Sequence, residues 1–221
     1  MTALPLPVAI RRPEVLHFLG YGARARPGAR IEAALETALE EARALAAPLG
    51  VWCAVSADRV GPLGLEPCPG CELAAGLVTI GPALEQRITR LLADGETTRA
   101  LLLDAAGSAA AEEAAAELER RILAARGAEA GRAARRFSPG YGRWPVTAQR
   151  ELLALLPHQE IGVRLLPSCL MAPRKSVSFA LWLGNEGRPP QGGGVPVPGC
   201  RECGLAFCPY RETSPPAEEN R

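Results

Sequence analysis

The sequence predicts an α+β protein. Helical stretches dominate its first half, mixed strands and helices follow, and the two kinds of segment are not arranged as repeated β-α-β units. Hydrophobic residues make up 48% of the 221 and charged residues 22%, ordinary proportions for a soluble globular chain with a substantial core. The length fits one large domain, or one domain with an appendage.

Residues 31–47 carry apolar side chains at helical spacing with Glu on the other face, and Gly50 lies beyond the end, so an amphipathic helix is expected. Residues 49–56 read as a strand. A second helix is expected over 83–93, bounded by Pro82 and Gly95. The longest helical region starts near Thr97 or Thr98, either of which can cap it, and runs to about Arg126 with Gly107 inside. Its Ala-, Glu- and Arg-rich composition reads as a helix with a solvated face. Residues 127–135 form a Gly/Arg-rich connection. Thr147 can cap a short helix ending before Pro157. Residues 161–166 and 176–183 read as strands, the second alternating small polar with bulky residues. The segment 184–199, GNEGRPPQGGGVPVPG, has the composition of a linker, so the chain divides into a domain at 1–184 and a tail at 185–221.

The formal net charge is +1, and the basic cluster of Arg132, Arg135 and Arg136 is offset by plentiful Glu. No global field therefore draws the chain to nucleic acid or to an anionic membrane. Arg11 and Arg12 are not followed by an apolar signal core, and no apolar run approaches membrane-spanning length. A cytoplasmic location is expected. Seven cysteines, an odd count, then point to reduced thiols or a metal site more than to a disulfide framework.

The stretch RFSPGYG at 136–142 is chemically the most informative. A guanidinium presents a planar fork of donors that matches a carboxylate. Pro139-Gly140 is strong turn chemistry, and Tyr141 adds a flat apolar face with a polar tip. Together they form a loop suited to a small zwitterion carrying a carboxylate and a ring; the plain alternative is a surface turn.

The surroundings extend this pattern. RFSPGYG resembles the RxxxGY motif of the cobalamin-dependent methionine synthase activation domain. Downstream, Trp144-Pro145, Gln149, the apolar run 152–156, Ile161-Gly162-Val163 and MAPRKSVS (171–178) follow in that family's order. Upstream, VLHFLGYG (15–22) and LVTIGPALEQRI (77–88) resemble its single-domain members, so the likeness covers roughly residues 10–185. The resemblance implies a curved, mainly antiparallel sheet packed with helices, and it implies binding of S-adenosylmethionine. By the same resemblance Arg136 holds the ligand carboxylate, backbone at Ser138 and Gly140 contacts the adenosine moiety, and Tyr141 lines the pocket. Glu112 matches an acidic helix position whose charge attracts an ammonium or sulfonium, with Glu113 the alternative in register. The chain departs from the family pattern where acidic residues are expected, at about Ala116 and Ala130.

In the tail, Cys200, Cys203 and Cys208 form a C-x2-C-x4-C arrangement suited to zinc or an iron–sulfur cluster. Three thiolates fall short of the usual four. Cys68 and Cys71 form another C-x2-C pair that completes the set if the fold brings it near; free thiols are the alternative.

With only His17 and His158, and no Ser-His-Asp candidate, the chain offers little scope for acid–base or nucleophilic chemistry. The resemblance implies instead a stand-alone reactivation subunit. It presents S-adenosylmethionine to cobalamin carried by a separate methionine synthase, or by another corrinoid protein, with an electron donor protein as third partner. A non-catalytic binding module is the remaining alternative.

Overall fold

The computed structural model describes residues 2–21, 26–127, 136–142 and 144–184. Its centre is a four-stranded sheet in the order β1-β2-β3-β6, with every neighbouring pair antiparallel. The strands are β1 (Leu4–Pro5), β2 (Leu49–Val55), β3 (Cys71–Thr79) and β6 (Ser176–Gly184). A small separate ladder joins β4 (Arg164–Leu165) and β5 (Met171–Ala172). Among the described residues six α-helices accompany them: α1 (Arg12–Phe18), α2 (Ala29–Leu45), α3 (Ala57–Val60), α4 (Ala83–Ala93), α5 (Thr97–Ala125) and α6 (Gln149–Ala154). The α+β class with an antiparallel sheet packed against helices is thus observed.

Strand β3 explains why the sheet needs cover on both sides. From Leu73 to Thr79 every residue is buried, so its side chains pack alternately onto two cores. Leu73, Ala75 and Leu77 share one face with Val51, Val55, Ala180 and Trp182, beneath Phe137, Trp144, Leu152 and Leu153. Ala74 and Val78 share the other with Phe179, Leu181 and Leu183, beneath Ala114, Ala115, Leu118 and Ile122 of α5. A third cluster forms where α1, α2 and α4 pack on the first half of α5.

The long helix serves two of these cores because its apolar residues recur every three or four positions. Leu103, Ala106, Ala110, Ala114, Leu118 and Ile122 are all fully buried. Alanine combines the highest helix propensity with a short side chain that lets neighbours approach closely. At Gly107 the approach is closer still: a Cβ there would meet Leu84 Cδ2 of α4 at 2.7 Å.

On the sheet, Gly76 stands directly opposite Phe179. A Cβ on Gly76 would lie 2.5 Å from Phe179 Cζ, and the ring is itself fully buried. Gly76→Ala is therefore expected to overpack this site and cost about 1–3 kcal/mol, read as a lower unfolding midpoint in a denaturant titration. An unchanged midpoint would show that the ring has room to move.

Several expected boundaries shift for local reasons. Helix α2 runs two residues earlier than expected, because Pro48 disfavours helical geometry just before it and the Ala47 N–H donates to the Ile80 carbonyl instead. The helix expected near Thr97 begins at that residue, but no side chain caps it. Thr147 is no cap either; it sits inside a 3-10 turn, Val146–Ala148, that leads into α6. The strand expected over 161–166 shrinks to Arg164–Leu165. A 3-10 turn, His158–Ile161, occupies its start and ends on Gly162 in the left-handed region (φ 72°). Helix α1 and strand β3 were not anticipated as elements.

Among the described residues, no helix is long and apolar enough to cross a membrane. The expected linker and cysteine tail, residues 185–221, lie outside the described residues.

Candidate functional site

The loop 136–142 begins as an extension of the sheet. Phe137 forms an antiparallel bridge with Ala180 of β6, its N–H donating to the Ala180 carbonyl at 3.0 Å and the reverse bond measuring 2.8 Å. Extended backbone alternates its side chains. Phe137 accordingly enters the core beneath α6, and Arg136 emerges on the opposite face, beside α5.

The far end of the loop is pinned by Trp144. Its indole N–H donates to the Leu63 carbonyl at 2.7 Å, and its ring lies 5.0 Å from Phe137 at 54°. Within the loop, the Gly140 N–H donates to the Trp144 carbonyl (2.8 Å) and the Tyr141 N–H to the Ser138 carbonyl (3.1 Å). Gly140 has φ 93°, backbone that favours glycine. The Ser138 carbonyl keeps a second lone pair for a ligand, whereas the Gly140 N–H is already engaged. Tyr141 projects outward, 63% exposed.

Arg136 meets two carboxylates of α5. Its Nη2 lies 2.7 Å from Glu112 Oε2 and its Nη1 lies 3.2 Å from Glu119 Oε2. The guanidinium carbon also stands 6.0 Å from the centroid of the Phe179 ring, a cation over an aromatic face. Glu113 points elsewhere, pairing with Arg120 (3.1 Å) and Arg11 (3.5 Å). The structure therefore brings together Arg136 and Glu112, two residues singled out from sequence, and adds Glu119.

The signal for Glu119 was present in the sequence: it lies seven residues, close to two helical turns, beyond Glu112, so both occupy one face.

On the other side of Glu112 a cavity of about 180 Å3 opens, lined by Ala9, Arg11, Glu14, Phe18, Ala109, Glu112 and Glu113. The three carboxylates of this lining are each ion-paired, Glu112 with Arg136, Glu113 with Arg120 and Arg11, and Glu14 with Arg11, so a cationic group entering beside the Phe18 ring shares those carboxylates with their guanidiniums. Pockets that enclose a whole small ligand span about 300–1,000 Å3, so this one accommodates part of such a molecule.

No family model and no curated protein sequence matches the chain. Among solved structures it is similar to the MetH reactivation domain bound to AdoHcy, with a TM-score of 0.60 over 86% of this chain and 80% of that one, at 14% sequence identity. The likeness is one of fold. It shows the α+β architecture to be shared with that reactivation domain.

The cysteines divide. Cys200, Cys203 and Cys208, expected to bind zinc or an iron–sulfur cluster, lie outside the described residues. Cys68 and Cys71 are joined to each other as a disulfide, and in that state they offer no thiolates to complete such a site. Here the expectation of reduced thiols is corrected: Pro69 and Gly70 turn the chain so that the two cysteines meet. Burial pushes the Cys53 thiol up, which keeps it neutral and a poor nucleophile. Among the described residues, no group of three or more His, Cys, Asp or Glu side chains is placed to hold a metal ion.

Proposed function

We propose that this chain binds S-adenosylmethionine and presents it to a corrinoid cofactor carried by a separate protein, as a stand-alone reactivation subunit for a methionine synthase. The observation that carries the reading is the Arg136–Glu112 pair at the edge of a cavity lined by further carboxylates, set on a fold shared with the MetH reactivation domain. A guanidinium and a carboxylate at hydrogen-bonding distance form a paired site for a zwitterion. Arg136 receives the carboxylate, and Glu112, with the carboxylates around the cavity, receives the ammonium or sulfonium. Tyr141, exposed beside the loop, is available to cover the nucleoside, and the Ser138 carbonyl to accept a hydrogen bond from it.

The bound ligand supplies an already activated methyl group, so the protein needs no nucleophile of its own. Its contribution is to fix the position of the ligand and the field around it. The partner supplies the cobalamin and a donor protein the electron. That assignment makes a test. The purified chain is expected to transfer no methyl group from S-adenosylmethionine unless a corrinoid protein and a reductant are both present. Product formation followed by mass spectrometry checks it, and transfer to a small acceptor without any corrinoid would overturn it.

A further inference from the structure

Glu119 carries no role in the reading above, yet it holds one of the two terminal nitrogens that a ligand carboxylate would need. Arg136 offers its Nη1 to Glu119 and its Nη2 to Glu112, and Glu119 is partly exposed, its side chain 25% open to water. The local balance is one positive charge against two negative ones. An incoming carboxylate thus approaches a cluster with a net negative charge, which Coulomb repulsion penalises. The two glutamates differ in what else they face. Glu112, its side chain 47% exposed, lines the cavity, where a cation gains from its charge; Glu119 is not part of that lining.

We propose that Glu119 is a specificity-determining residue that competes with the ligand carboxylate for Arg136, so that the site admits a carboxylate only when the same molecule brings a cation to Glu112. A plain carboxylate must displace Glu119 with no compensation. A zwitterion displaces it and regains the loss at Glu112 and the cavity. The consequence is selection for amino-acid-like ligands over the many simple carboxylates of a cell. This rests on the binding of S-adenosylmethionine proposed above and adds a direction that such binding alone does not imply: removing a charged residue from the site should strengthen it.

The experiment is calorimetric titration of the wild type, Glu119→Gln and Glu112→Gln with S-adenosylmethionine and with its decarboxylated analogue, each protein's melting temperature being measured alongside. Glu119→Gln keeps shape and helix propensity while removing the charge. It is expected to bind S-adenosylmethionine more tightly, by up to about fivefold, the range set by a partly exposed ion pair, and to bind the decarboxylated analogue no more tightly than wild type does. Glu112→Gln is expected to weaken both ligands. In an Arg136→Ala background Glu119→Gln should bring no gain, because nothing remains to compete for. Equal or weaker binding of S-adenosylmethionine by Glu119→Gln would overturn the role of Glu119 while leaving the ligand in place. Absence of binding by every protein would remove the ligand reading, and this inference with it.

Discussion

Replacing Arg136 by Ala is expected to abolish measurable binding of S-adenosylmethionine. Truncating one partner of a charged, hydrogen-bonded pair costs about 2–5 kcal/mol, which weakens affinity by about thirtyfold to a few thousandfold. The fold should survive. Glu112 and Glu119 keep access to water at 47% and 25% side-chain exposure, so losing their partner costs about 1 kcal/mol or less. Calorimetry beside a thermal melt separates the two effects: affinity collapses while the melting temperature barely moves. Arg136→Lys should also bind poorly, because a single ammonium cannot span Glu112, Glu119 and a ligand carboxylate as a planar fork does. Equal affinity in wild type and Arg136→Ala would exclude the loop from the ligand site.

Trp144→Ala is expected to have the largest effect on stability. The side chain is 1% exposed, packs on Phe137 and donates to Leu63. Its removal leaves a cavity beneath the sheet and an unpaired carbonyl, a loss of about 3–5 kcal/mol. For a chain of this size the melting temperature should fall by on the order of 10 °C. Trp144→Phe retains most of the packing and loses the hydrogen bond, so a smaller cost of about 1–3 kcal/mol is expected. Because Trp144 also pins the end of the 136–142 loop, ligand affinity should fall in Trp144→Ala even well below its melting temperature. Full affinity there would show that the loop holds its shape without this anchor.

These two residues also show what the sequence made legible. The loop announced itself through local chemistry, an Arg followed by Pro-Gly and an aromatic residue, and the structure ties one end to β6 through Phe137 and the other to the Leu63 carbonyl through Trp144. The acidic position expected to attract the ligand's cation is narrowed in the sequence only to Glu112 or Glu113. That Glu112 rather than Glu113 also pairs with Arg136 depends on how α5 is rotated over the sheet, a tertiary property. Glu119 follows Glu112 at simple helical spacing, one turn beyond Ala116, where the family resemblance places an acidic residue that this chain lacks.

The fold shows a similar division. Helices α2, α4 and α5 were legible because their apolar spacing and their Pro and Gly boundaries agree. Strand β3 was not, for a physical reason. A strand buried on both faces shows no alternation, and Ala74, Ala75 and Gly76 lack the branched side chains that mark a strand in isolation. Its central place in the sheet appears only once β2 and β6 are paired to it.

The division of the site between α5 and the loop has a thermodynamic consequence. Helix α5 is buried against the other helices along its first half and against the sheet along its second, so displacing the backbone that carries Glu112 and Glu119 requires nearly global unfolding. The loop bearing Arg136 is fastened by one bridge to β6, by the tilted contact of Phe137 on Trp144 and by the Trp144–Leu63 hydrogen bond, fewer ties than hold α5, so it opens at a lower free energy than the helix does. The two charges of one ion pair thus stand on different rungs of the unfolding ladder. A molecule that binds both at once adds its own binding free energy to the cost of that first, local opening. Occupancy of the site and order in the loop become a single equilibrium, readable from either side.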